Sequence, residues 1–126
     1  MSGAPLLALC ALDDLADPDS RGFERPGAEG LEPCFLVRRG ERVYAYRNRC
    51  PHTGATLEWL PHRFLTADGE LIQCGLHGAL FLIETGECVH GPCVGQSLTA
   101  IPVLVRAAVV WTVAEPSPDA DGSGMA

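Results

Sequence analysis

Hydrophobic positions come in short runs, several of them alternating with polar residues, and Gly, Pro or Asp soon interrupts each run. That pattern predicts strands and turns rather than long helices. PLLALCAL (5–12) reads as a first strand, and a loop rich in Asp, Pro and Gly is expected from there to Pro33. CFLVRRGERVYAYR (34–47) reads as a hairpin turning near Arg39-Gly40-Glu41. RFLTADGELIQC (63–74) reads as a second hairpin with Asp68-Gly69 at its turn, and ALFLIETGECVH (79–90) as a third, turning at Thr85-Gly86. SLTAIPVLVRAAVVWTV (97–113) supplies two last strands, with Pro102 confining its neighbourhood to an edge or bulge. One short helical turn is expected near Leu57 to His62. The fold class is all-β.

Composition narrows this picture. A chain of 126 residues fits one domain with a modest core. We assign that domain to residues 1–114. EPSPDADGSGMA (115–126) is small, acidic and poor in apolar residues, which predicts a disordered tail. The net charge is −7 and all nine basic residues are arginine. A nucleic-acid binder would show a basic surplus, so that class is excluded, whereas steering toward a basic partner surface fits. No apolar run approaches the roughly 20 residues needed to span a bilayer. The apolar patch at the N-terminus lacks a basic flank and is followed at once by acids, unlike a signal peptide. The cytoplasm is therefore expected, and a monomer. There, the six cysteines are more naturally thiols or metal ligands than a disulfide framework.

Two stretches carry candidate chemistry. CPHTGATLEW places Cys50 and His52 on a turn, and CGLHG places Cys74 and His77 on another, with 21 residues between His52 and Cys74. Each arm offers one sulfur and one nitrogen between predicted strands, and Gly54, Gly75 and Gly78 let backbone approach a shared centre closely. Two sulfurs and two nitrogens suit zinc, but zinc-finger arms usually pair like ligands. Mixed arms favour a two-iron cluster, with Cys50 and Cys74 on one iron and His52 and His77 on the other.

On these residues the chain resembles the Rieske [2Fe–2S] family. CPHTGATL is similar to its first ligand box and CGLHGALFLIETGECVHGP to its second, including the Gly91-Pro92 that opens the loop covering the cluster. The likeness extends over about residues 5 to 114, although the spacer between the boxes is a few residues longer than in short Rieske ferredoxins. The extra residues fall in WLPHRFLTADGE, at one rim of the site. The resemblance implies an antiparallel β-sandwich carrying a small cluster-binding subdomain made of two ligand loops. It also implies one [2Fe–2S] cluster with a histidine side open to a docking partner.

The implied function is that of a single-electron carrier rather than an enzyme. Two thiolates and two neutral imidazoles leave the oxidised centre with about zero net charge, so it accepts an electron more readily than a four-thiolate cluster. Rieske oxygenases carry a large second domain with its own iron, which a chain this short cannot hold, and no dinucleotide fingerprint follows a strand. Electrons would come from a reductase and pass to a terminal oxygenase or similar redox enzyme. A zinc-stabilised interaction module and a redox sensor are the readings from other classes. High-potential relatives place Ser two residues and Tyr four residues past the second-box histidine, where this chain has Ala79 and Phe81. They also bridge their boxes through an extra cysteine in each, and Thr53-Gly54-Ala55 and Gly75-Leu76 contain none. The resemblance therefore implies a potential at the low end of the Rieske range, about −150 mV.

Several residues invite other readings. Cys88-Val89-His90 repeats the C-x-H spacing, but it falls within a predicted strand, where an i, i+2 pair does not readily converge on one small centre. Cys88 and Cys93 bracket Gly91-Pro92 and are spaced either for a disulfide or for two thiols, the latter favoured in a reducing compartment. Cys10 and Cys34 read as small buried apolar residues. His62 reads as a loop residue, and Trp59 and Trp111 as core. The arginines at 38, 39, 42, 47 and 49 read as solvated hairpin charges, with a docking patch for an acidic partner as the other use.

Overall fold

The computed structural model describes residues 6–27, 30–51, 56–57, 62–75 and 78–113. Nine strands form three antiparallel sheets of three strands each among these residues. They are β1 (Leu6–Ala11), β2 (Asp19–Gly27), β3 (Gly30–Arg39), β4 (Arg42–Arg47), β5 (Leu71–Gln73), β6 (Leu80–Leu82), β7 (Cys88–His90), β8 (Val103–Arg106) and β9 (Val109–Val113). The all-β expectation holds. A single 3-10 turn, Leu12–Asp14, is the only helical element among the described residues. The helical turn expected near Leu57 to His62 lies largely outside them.

The sheet β2-β3-β4 is the middle layer, and β3 explains why. Its residues Cys34, Phe35, Leu36 and Val37 are all buried. Side chains alternate across a strand, so these four feed two different cores. Phe35 and Val37, with Tyr46 of β4, pack toward β5-β6-β7 and its loops. Cys34 and Leu36, with Ala45 of β4, pack toward Leu15, Ile101 and Val110 under the sheet β1-β9-β8. A continuous apolar run thus marks a strand covered on both faces. Segment 99–101 lies along the free edge of β4, through Arg47 N–H to Thr99 C=O (2.9 Å) and Ile101 N–H to Ala45 C=O (2.9 Å). It carries the chain from the middle sheet into β8.

Strand β2 corrects the expectation of a loop up to Pro33. Its sequence, DSRGFERPG, is too polar and too rich in Gly and Pro to read as a strand, yet it pairs with β3 from Asp19 opposite Arg38 to Gly27 opposite Gly30. It is an edge strand, which tolerates Pro26 and inward charge. Arg25 is buried and its Nε donates to Glu32 Oε1 across the hairpin at 3.0 Å, while Arg47 Nε of β4 lies 2.8 Å from Glu32 Oε2. One carboxylate between two guanidinium groups holds the polar end of the sheet together.

The arginines need correction for the same reason. Arg38 Nη1 donates to the carbonyls of Leu12 (3.2 Å) and Leu15 (2.8 Å), pinning the β1–β2 connection, and Arg39 reaches Glu70 and Glu84. Three of the five expected hairpin charges are cross-links. Gly40 turns β3 into β4 at φ +66°, as its position in the sequence predicts. The β8–β9 turn is made by Ala107 and Ala108, both at positive φ (55° and 60°), a job usually given to Gly or Asn. Trp111 is only partly buried, its indole N–H donating to Arg106 C=O at 3.3 Å, and Trp59 lies outside the described residues.

Candidate metal centre

The first loop leaves β4 at Asn48, and the structure makes this residue a clip. Its backbone N–H donates to Pro33 C=O (3.0 Å), and its buried side-chain Oδ1 accepts the N–H of Leu57 at 2.7 Å. Leu57 is fully buried, and its carbonyl in turn accepts the N–H of Gly75 at 2.8 Å. The end of β4, the stretch after the first Cys/His pair and the start of the second pair are therefore joined through one residue. Nothing in the sequence reading singled out Asn48. An Asn two positions before a candidate ligand cysteine, at the end of a strand, was the available signal.

The second loop closes on itself. Cys74 N–H donates to Ala79 C=O (2.9 Å) and Gly78 N–H to Cys74 C=O (3.1 Å), so the two ends of this turn are bonded to each other. Gly91 lies over this turn at φ +103°, and a Cβ there would stand 2.8 Å from the Cα of Ala79. Only glycine permits that approach.

Cys50 and Cys74 are both buried, at 1% and 0% exposure, in the same core as Leu57, Ala79 and Phe81. His52 and His77 lie outside the described residues. The two sulfurs are thus placed in an apolar pocket, each at the start of a short loop that also carries a histidine. Soft sulfur with imidazole is a donor set suited to iron–sulfur binding. The residues present fit a [2Fe–2S] cluster.

The remaining sulfurs sort by surroundings. Cys34 is sealed in the other core, where burial first and the Glu32 carboxylate second push its thiol up to about 12. Cys10 is half-buried and raised chiefly by desolvation. Cys88 and Cys93 are buried thiols with their Sγ atoms 3.1 Å apart. Cys93 is pushed up to about 12, mainly by burial and then by its bond to Cys88. Cys88 and His90 do lie on a strand, β7, and Cys88 is buried whereas His90 is exposed. His62 is more than a loop residue. At φ +63° its Nδ1 accepts Gly22 N–H at 3.0 Å and its carbonyl accepts the Ser20 hydroxyl at 2.7 Å, tying the spacer to β2.

Comparison with known proteins agrees with this geometry. The family model of the Rieske [2Fe–2S] domain matches residues 6–110. The ferredoxin CarAc of Metapseudomonas resinovorans is 31% identical over 86% of this chain and 94% of its own. The ferredoxin component of biphenyl 2,3-dioxygenase from Rhodococcus jostii is 31% identical over 65% of this chain and 68% of its own. Among solved structures, the ferredoxin of carbazole 1,9a-dioxygenase from Nocardioides aromaticivorans superposes with a TM-score of 0.69 at 26% identity, covering 88% of this chain and 99% of that one. A chain from the complex of reduced oxygenase and oxidised ferredoxin in carbazole 1,9a-dioxygenase gives 0.72 at 29% identity, over 92% and 99%.

Proposed function

The chain belongs to the Rieske [2Fe–2S] domain family, and on that premise we propose that Cys50 and Cys74 hold one iron of its cluster and His52 and His77 the other. The protein carries one [2Fe–2S] cluster and is an electron-transfer component, not a catalytic subunit. It takes electrons from a reductase and passes them to a terminal oxygenase or similar redox enzyme. A dioxygenase is the terminal partner we propose, because the ferredoxins from Rhodococcus jostii and Nocardioides aromaticivorans belong to dioxygenases.

The observation that carries the ligand assignment is the burial of Cys50 and Cys74 in one core, at the mouths of two loops joined through Leu57. When bound there, the cluster accepts and releases one electron at a time. The chain's own part is to hold geometry and exclude water. Asn48 and Gly75 fix Leu57 between the loops, and Ala79 and Phe81 line the sulfur side with no hydroxyl to donate. Gly91 packs closely on Ala79 at the end of the second loop. We place the protein in the cytoplasm, where free cysteines are the resting state, and the Rieske unit at residues 1–114. No helix among the described residues is long and apolar enough to cross a membrane.

Iron and acid-labile sulfide analysis tests the assignment. Protein purified under low oxygen should hold two of each per chain, as a [2Fe–2S] cluster requires. Replacing Cys50, His52, Cys74 or His77 with Ala should remove them, while Cys88→Ala and His90→Ala keep them. Stoichiometric zinc without sulfide, or full iron retention in Cys74→Ala, would overturn it.

A further inference from the structure

The family function leaves the pair Cys88 and Cys93 unused, and their geometry is specific. Cys93 Sγ–H donates to Cys88 Sγ at 3.1 Å, and Cys88 Sγ–H donates to His90 C=O at 3.3 Å. The backbone holds the two residues in place independently of their sulfurs. Cys88 N–H donates to Gln96 C=O and Gln96 N–H to Cys93 C=O, both at 2.9 Å. A disulfide needs its sulfurs about 2.05 Å apart, so closure asks for only about 1 Å of approach. Two thiols held this way react as if at very high local concentration.

We propose that Cys88 and Cys93 are an oxidation-responsive latch, closing to a disulfide with a peroxide as oxidant. Cys88 Sγ, the acceptor of the Cys93 S–H, attacks the peroxide and breaks its O–O bond, its own proton leaving with the departing hydroxide as water and the sulfur becoming a sulfenic acid. The other sulfur displaces the hydroxyl as a second water, forming the S–S bond. The two thiols lose two electrons and two protons, and one peroxide is reduced to two waters. Cys88 and Cys93 are each about 1% exposed, so bulky thiols and disulfides are kept out and a small neutral oxidant is the class that can reach the pair.

The latch lies beside the ligand loops. Gly91, between the two cysteines, packs on Ala79, whose carbonyl bonds the N–H of Cys74. Closing the disulfide stiffens this cover and hinders the opening through which iron leaves. The cross-link is independent of which residues hold the iron; its effect on iron loss rests on the ligand assignment above.

Cluster-loaded protein treated with a small excess of hydrogen peroxide tests this. Iron and sulfide are measured first, so a protein that holds no cluster is recognised before oxidation. Non-reducing peptide mapping should then find Cys88 linked to Cys93 while the visible spectrum persists, and dithiothreitol should restore both thiols to alkylation. Iron loss to a chelator should be roughly three-fold slower or more in the closed form. Cys88→Ser, with Cys93→Ser as the second variant, should form no link and show no slowing. Two free thiols, single sulfinic acids without a link, or a link that leaves iron loss unchanged would each overturn the proposal.

Discussion

The two faces of β3 bury similar material and do different work. Toward β5-β6-β7 lies a core of aromatic rings and sulfur: Phe35 stacks on Phe64 at 4.3 Å, and Cys50, Cys74, Cys88 and Cys93 share the space. Toward β1-β9-β8 lies a mainly aliphatic core of Leu15, Leu36, Ile101 and Val110, with Cys34 among them. A buried cysteine occurs on both faces, so burial alone does not make a ligand. What differs is the backbone beside it. Cys50 and Cys74 lie at strand ends beside loops cross-linked through Asn48, Leu57 and Gly75, whereas Cys34 lies mid-strand, paired opposite Phe23 and Arg47.

The most severe test of that contrast is sulfur removal. Cys74→Ala should abolish iron and sulfide binding, while Cys34→Ala should retain both and cost about 1 kcal/mol in chemical denaturation. Loss of iron from Cys34→Ala would break the distinction between the faces.

Buried polar clips give the next comparison. Asn48→Ala leaves the Leu57 N–H without its acceptor in a dry core and should cost about 2 kcal/mol, with faster iron loss to a chelator. Asn48→Asp keeps an acceptor oxygen and should restore most of the iron retention. On the other face, Thr112 Oγ1 donates to Pro102 C=O at 2.7 Å. Pro102 is exposed, so water can replace that donor, and Thr112→Val should cost about 1 kcal/mol or less and leave iron loss unchanged.

Much of this was legible before the structure. The candidate ligands Cys50, His52, Cys74 and His77 stand out as two unlike donor pairs on two expected turns, and the turns at Gly40, Gly69 and Gly86 announce themselves through a glycine between apolar runs, each at positive φ in the structure. Strand β2 does not. Its stability comes from the partner strand and from Glu32 shared between Arg25 and Arg47, neither visible as a periodic pattern. Asn48, Arg38 and His62 escaped for a related reason: each acts on a backbone group far along the chain or across a loop, which spacing alone does not encode.

The redox potential sharpens the contrast within the sulfur-rich face itself. Ala79 and Phe81 are buried there without a hydroxyl, so voltammetry should give about −150 mV. Ala79→Ser with Phe81→Tyr should raise it by about 50 mV or more, because donors to a cluster sulfur or ligand thiolate favour the more negative, reduced form. A wild-type value well above zero would contradict the assignment. So would an unchanged potential in a double variant shown to form both hydrogen bonds.

The smallest effect separates both cores from the surface. With a net charge of −7, electron delivery to a basic docking surface should slow roughly two- to ten-fold as salt rises from low to physiological. The thermal midpoint should barely change over the same range, since neither core depends on exposed charge. A flat rate would restrict the surface charge to solubility.

The placement of β1 bears on how the chain is made. Its partner β9 lies at residues 109–113, almost the full described length away, whereas β2, β3 and β4 are consecutive and meet across short turns. During synthesis the middle sheet can form as soon as residue 47 is free, and everything that packs on its sulfur-rich face is present by Leu98. Only then is β9 translated to take up β1 and seal the aliphatic side. The sulfur-rich face is therefore complete while the opposite face still waits for its last strand.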